Sequence, residues 1–118
     1  MLHGAGLGFL YKNRAANARS FSHGGVGIFF REGALSLTQI KMYDPDNFEV
    51  LSAIGMIKGL SRKIVVISCY LPPNYAVGRA RAAIDHIGDC ITQAKRKYDD
   101  PFLMIGGDFN QWKVEDAI

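Results

Sequence analysis

The segment Lys63-Ile64-Val65-Val66-Ile67-Ser68-Cys69-Tyr70 is a β-branched run with almost no polar alternation. Such a strand is buried on both faces, which is the habit of strands in parallel sheets. Pro72 and Pro73 stop it, because proline cannot donate to a ladder. Val77, Ala80, Ile84, Ile87, Ile91, Ala94 and Tyr98 then recur at alternating steps of three and four. That spacing predicts one helix over 77–98 with a single apolar stripe, covering the protein's own sheet rather than a coiled-coil partner. Asp99-Asp100-Pro101 ends the helix, and Phe102-Leu103-Met104-Ile105 reads as a second buried strand, closed by Gly106-Gly107-Asp108-Phe109-Asn110.

Strand, helix and strand in that order make a β-α-β unit, two parallel neighbours joined by a right-handed crossover. Both strands then point their carboxyl ends the same way. Tyr70, Asp108 and Asn110 are thereby predicted at one rim, where open α/β sheets usually bind ligands. Each has a plainer role available: Tyr as an amphipathic rim residue, Asp and Asn as turn or cap residues. The combination argues for more. Gly106-Gly107 lets a ligand approach the backbone closely, and Asp108 and Asn110, two apart in an extended segment, should face one side. A carboxylate beside a carboxamide suits a divalent metal, or a water to be activated beside a phosphate.

The rest of the chain supplies the other strands. Residues 1–24 read as loop with a short helical turn at Arg14–Arg19. Val26, Ile28 and Phe30 alternate as in a strand, Leu35, Leu37 and Ile40 begin a second, and Phe48 to Ile57 forms a third. Asp44-Pro45-Asp46-Asn47 is a turn cluster without the Gly and terminal Glu of a calcium loop. Lys58-Gly59-Leu60-Ser61-Arg62 is a hairpin connection.

At 118 residues, 48% hydrophobic and 21% charged, the chain is expected to be one soluble domain, not a disordered tail, coiled coil or collagen-like repeat. No apolar run approaches the ~18 to 20 residues that cross a bilayer, so no membrane role is expected. Cys69 and Cys90 are too few for a disulfide scaffold and form no CxxC, and no signal-peptide pattern opens the sequence. An intracellular, non-secreted protein is expected. Of the net charge of +3, Lys12, Arg14 and Arg19 fall in the first 23 residues, which hold no acid. They are the candidate nucleic-acid contacts, against the plainer reading of a solvated arm. Lys95-Arg96-Lys97 instead closes the helix, where cations offset the dipole.

Three motifs in order resemble those of the endonuclease/exonuclease/phosphatase superfamily. Gly-Gly-Asp-Phe-Asn at 106–110 looks like its GDxN motif, and Ser68-Cys69-Tyr70-Leu71-Pro72-Pro73-Asn74 is similar to its Tyr-x-Pro strand end. His23-Gly24-Gly25-Val26-Gly27-Ile28-Phe29 resembles its Gly-Gly-Val-Ala-Ile strand. The double proline and the Gly-Gly-Asp-Phe-Asn form look most like the endonuclease domain of non-LTR retrotransposons, which precedes a reverse transcriptase. The resemblance implies an α/β fold that is part of a four-layer sandwich, with a mixed sheet and one β-α-β crossover. It implies a Mg²⁺-dependent hydrolase (Mn²⁺ as a substitute) that nicks DNA in the nucleus. Asp108 would orient or deprotonate the attacking water and touch the metal weakly, Asn110 would hold a phosphate oxygen, and Tyr70 would contact the scissile phosphate.

The match spans about 22–115 of a single partial domain, 1–118. The family's pattern has an Asn and a metal-binding Glu before the Gly-Gly-Val strand, and a later Asp with a Ser-Asp-His-like terminus. This chain has no acid before His23, and none of His3, His23 and His86 stands at that terminal position. It is therefore expected to be a fragment, inactive alone. The alternatives are a non-catalytic nucleic-acid-binding remnant, or a phosphatase of the same superfamily acting on a phosphorylated lipid or inositol.

Overall fold

A computed structural model describes residues 6–13 and 25–114. The β-α-β unit forms as the pattern requires. Strand β5 (Lys63–Tyr70) is followed by helix α1 (Val77–Lys97) and strand β6 (Phe102–Asp108). β5 and β6 are parallel neighbours, with Ile64 level with Phe102 and Tyr70 level with Asp108. Two further strands, β3 (Leu35–Ile40) and β4 (Val50–Ile57), extend the sheet antiparallel in the order β3-β4-β5-β6.

The first 24 residues are not all loop. Strand β1 (Leu7–Asn13) pairs antiparallel with β2 (Gly25–Arg31) in a separate two-stranded sheet. Glycine spacing hides this strand in the sequence. Gly8 looks like a breaker, yet it sits opposite Phe30, and a Cβ there would lie 2.2 Å from the Phe30 ring. The missing side chain is the space that ring fills. Arg14–Arg19 and the helical turn expected there lie outside the described residues.

Three layers stack among the described residues. Leu10, Ile28 and Phe30 of the small sheet pack onto Leu37, Ala53 and Ile64 of the large one. The Ser68 hydroxyl adds a hydrogen bond to the Gly27 carbonyl, 3.3 Å. On the other face Val65, Ile67, Cys69 and Leu71 meet Ala83, Ile87, Cys90, Ile91 and Ala94 of α1. Fully burying a side chain the size of Ile67 or Ile87 contributes about 1.5–3 kcal/mol. The buried stripe starts at Ala80, one turn later than the spacing suggested, because Val77 is exposed. β6 also departs from expectation. It is an edge strand whose Phe102 and Met104 are exposed, so only Leu103 and Ile105 pack inward. Phe9, Tyr11 and Phe29 form a stacked, exposed aromatic row on β1 and β2. No helix among the described residues is long and apolar enough to cross a membrane.

A polar joint ties the layers together. The Lys12 ammonium on β1 lies 2.6 Å from Asp44 Oδ2 and 2.6 Å from the Phe48 carbonyl. Asp44 opens the turn before β4, where its Oδ1 accepts the Phe48 amide at 3.2 Å. His86 Nε2 of α1 stands 3.8 Å from the same carboxylate and 3.6 Å from Cys90 Sγ. Burial would raise the Asp44 carboxyl, but Lys12, the Phe48 amide and His86 outweigh it and hold it below the usual value. Burial lowers His86 despite the pull of Asp44.

Both shifts have the same sign in stability. The unfolded chain binds the proton more readily than the folded one for each group, so acid favours unfolding. Stability conferred by His86 is complete above 6.5 and lost below it; that of Asp44 is complete above 3.8 and lost below it. The urea midpoint should be flat from pH 8 to 7, fall below 6.5, and fall again below 3.8. His86→Gln should remove the first decline and keep the second, made smaller by the loss of His86 beside Asp44. An identical first decline in the variant would assign it to other groups.

Candidate functional site at the carboxyl rim

Tyr70 and Asp108 are Cα partners at the ends of β5 and β6. Neighbouring strands lie about 4.8 Å apart and partners share a face. Both side chains therefore stand on the face of the sheet away from α1, Asp108 exposed and Tyr70 half-buried. The turn after β6 is locked onto the turn after β5. The Leu71 amide donates to the Asp108 carbonyl at 3.0 Å. Asn110 Nδ2 then donates to the Leu71 carbonyl (2.8 Å), Trp112 Nε1 to Pro72 (2.9 Å) and Gln111 Nε2 to Pro73 (2.9 Å). Three consecutive side chains thus satisfy three consecutive carbonyls, the last two belonging to prolines that break the ladder.

Asn110 does not extend the strand. Its φ is +50°, and its amide donates to Asp108 Oδ1 at 3.1 Å, closing an Asx turn. Asp108 and Asn110 are neighbours through that turn, not through two-residue alternation. The bond also fixes one oxygen of the exposed Asp108 carboxylate. Gly107 plays another part than the one expected. A Cβ there would lie 1.8 Å from the Cys69 carbonyl oxygen, so its space belongs to the adjacent strand. Gly106 alone has open space around it.

Two features of the rim carry no signal in the local sequence. Glu49 immediately precedes β4, and its carbonyl accepts the Tyr70 amide at 2.9 Å. Glu49, Tyr70 and Asp108 therefore stand level on three adjacent strands, with Glu49 buried. The hairpin between β4 and β5 was the available signal, since it puts the start of β4 beside the end of β5. Next to Tyr70 lies a cavity of about 580 Å³ lined by Glu49, Pro72, Asn74, Tyr75 and Arg79, among others.

Of the basic candidates, Lys12 does not join this rim. Its ammonium is held by Asp44 and the Phe48 carbonyl. Arg14 and Arg19 lie outside the described residues. Among the described residues no three His, Cys, Asp or Glu side chains converge as a metal site would need. Cys69 is buried, which pushes its thiol up to about 12, so it is no nucleophile.

No protein-family model matches the sequence, and no curated protein matches it significantly. Among solved structures, the chain is similar to a humanized D. rerio TDP2 carrying 14 mutations, with a TM-score of 0.60 and 14% identity. The alignment covers 98% of this chain and 48% of that one, so this chain spans about half the length of the structure it matches. Identity that low speaks for the fold alone: the chain has a mixed α/β fold of the endonuclease/exonuclease/phosphatase type.

Proposed function

We propose that the chain is part of a DNA-processing phosphodiesterase of that superfamily, of the kind carried by non-LTR retrotransposons. TDP2, whose fold it shares, is a DNA phosphodiesterase. The observation that carries the reading is the register pair Tyr70–Asp108, with Asn110 bonded to Asp108. Phosphodiester hydrolysis needs an in-line water, a base to orient it, and donors for the developing charge on phosphate. Asp108 is the base: one oxygen is fixed by the Asn110 amide and the other receives the water. Asn110 spends one Nδ2 hydrogen on Leu71 and keeps a second for a phosphate oxygen. Tyr70 contacts the same phosphate.

Mg²⁺, or Mn²⁺ in its place, belongs to this proposal through the family resemblance. The described residues do not fit it by themselves. Mg²⁺ keeps near-octahedral oxygen coordination, whereas the rim offers Asp108 with Glu49 two strands away and buried. The remaining ligands would come from residues outside those described, and in the nuclear setting of such elements a reverse-transcriptase domain would share the longer chain.

Nicking of supercoiled plasmid in Mg²⁺ tests the reading, with the chain compared to its Asp108→Ala variant. The chain alone should show no nicking above background while its circular dichroism shows it folded. Nicking that disappears in Asp108→Ala would overturn the inactivity and keep the assigned base. Nicking that persists in the variant would remove Asp108 from the chemistry. DNA affinity should fall steeply with salt; affinity indifferent to salt would overturn DNA as the partner.

A further inference from the structure

The cavity beside Tyr70 has the makings of a nucleotide subsite. Arg79 is the cation in its lining, and Tyr75, Pro72 and Pro73 supply flat apolar surface. The Arg79 guanidinium lies 4.7 Å from the Phe48 ring centroid and 5.2 Å from that of Tyr75. Its Nη2 donates to the Asp46 carbonyl at 3.2 Å. Among the described residues the group is thus steadied by two rings and one hydrogen bond, out of five N–H donors. A guanidinium held this way is suited to take a phosphate bidentately. Helix α1 adds to the same polarity. Its N-cap, Ala76, makes no side-chain cap bond, and its first turn has no acid to satisfy the amides there.

Two carboxylates oppose this. Asp46 and Glu49 share the lining, although Glu49 is 6% exposed and withdrawn into the sheet. Two carboxylates against one guanidinium leave the lining net negative, so attraction for a phosphate depends on Arg79 specifically.

We propose that this cavity holds the nucleotide next to the scissile phosphate, with Arg79 on its phosphate and the Tyr75–Pro72 wall against its base. The inference rests on the DNA-phosphodiesterase reading above, and it names the strand contact that reading leaves open. At about 580 Å³ the cavity has room for one nucleotide unit and its flanking phosphate. Tyr70 lines both the cavity and the rim, so a strand seated here runs directly past Asp108.

The probe is a fluorescein-labelled twelve-residue oligothymidylate, with anisotropy read from about 50 to 300 mM salt and folding checked by circular dichroism. Arg79→Ala should weaken binding by about tenfold and reduce the salt slope by about 0.7, the value for one phosphate contact on a single strand. Arg79→Lys keeps the charge and side-chain stem, so it should restore the slope but only part of the affinity. Tyr75→Leu should cost about fivefold or more through lost stacking. Lys58→Ala, removing equal charge at the opposite end of the sheet, should leave binding unchanged.

The inference is overturned if Arg79→Ala behaves like Lys58→Ala, or if the folded chain does not bind the oligonucleotide. Absence of nicking leaves this result standing, because the assay reads binding. Conversely, nicking by the chain that is indifferent to Arg79 and Tyr75 would sink the subsite and spare the phosphodiesterase.

Discussion

Gly107→Ala should destabilise the protein by about 3–5 kcal/mol, whereas Gly106→Ala one residue earlier should change it by less than about 1 kcal/mol. Two costs coincide at Gly107. Its φ of +146° is a backbone conformation that side-chain-bearing residues rarely adopt. An added Cβ would also lie 1.8 Å from the Cys69 oxygen and 2.8 Å from the Cys69 carbonyl carbon. Neither atom can move cheaply. Cys69 is 1% exposed and belongs to central strand β5, whose inner face is packed on α1. The strain must instead push β6 outward, which breaks the Leu71–Asp108 bond and the three side-chain bonds from residues 110 to 112. Trp112 is the single tryptophan, so its fluorescence reports that turn during urea unfolding. Equal urea midpoints for the two alanine variants would mean β6 yields at no cost and the tight register is not required.

The sequence carried the β-α-β unit legibly because each part has a strong period. Continuous β-branched residues, a stripe at steps of three and four, and proline punctuation agree about 63–108. The carboxyl rim follows from topology alone: two parallel strands end together, which puts Tyr70 beside Asp108. β1 is hidden because its signal is non-local. Gly8 lowers strand propensity, and the Phe30 ring on the paired strand explains it. The apolar composition of β6 predicts burial on both faces, but among the described residues only its α1 side is covered: Leu103 and Ile105 pack inward while Phe102 and Met104 are exposed.

The site shows the same division. Residue types and chain order pointed to Tyr70, Asp108 and Asn110, whereas their local geometry was hidden. Asn110 leaves the strand because its side chain and its left-handed φ both serve a turn. Charge counting makes Lys12 available to a polyanion, yet the partner that occupies it is 32 residues away in sequence. Glu49 and Arg79 carry no motif at all. Their place is set by the antiparallel β4–β5 register and by the first turn of α1.

Asp44→Ala should be the second large loss, about 2–3 kcal/mol. Removing one member of a mostly buried ion pair leaves the other desolvated, typically at 3–5 kcal/mol. The lower figure reflects the 22% exposure of Lys12, which lets water screen part of the charge. Lys12→Met keeps the apolar stem and should cost less, because Asp44 retains the Phe48 amide and His86. Combining Lys12→Met with Asp44→Ala should cost at least about 1 kcal/mol less than the sum of the two, since the pair shares one contact. Lys12 belongs to the two-stranded sheet and Asp44 to the turn before β4, so the loss should be local as well as global. Amides of residues 7–13 should exchange with deuterium faster in Asp44→Ala than those of 63–70, where α1 still covers β5. Strict additivity of the two substitutions, or uniform exchange across both segments, would show that the small sheet is held by its apolar face alone and that the ion pair is incidental.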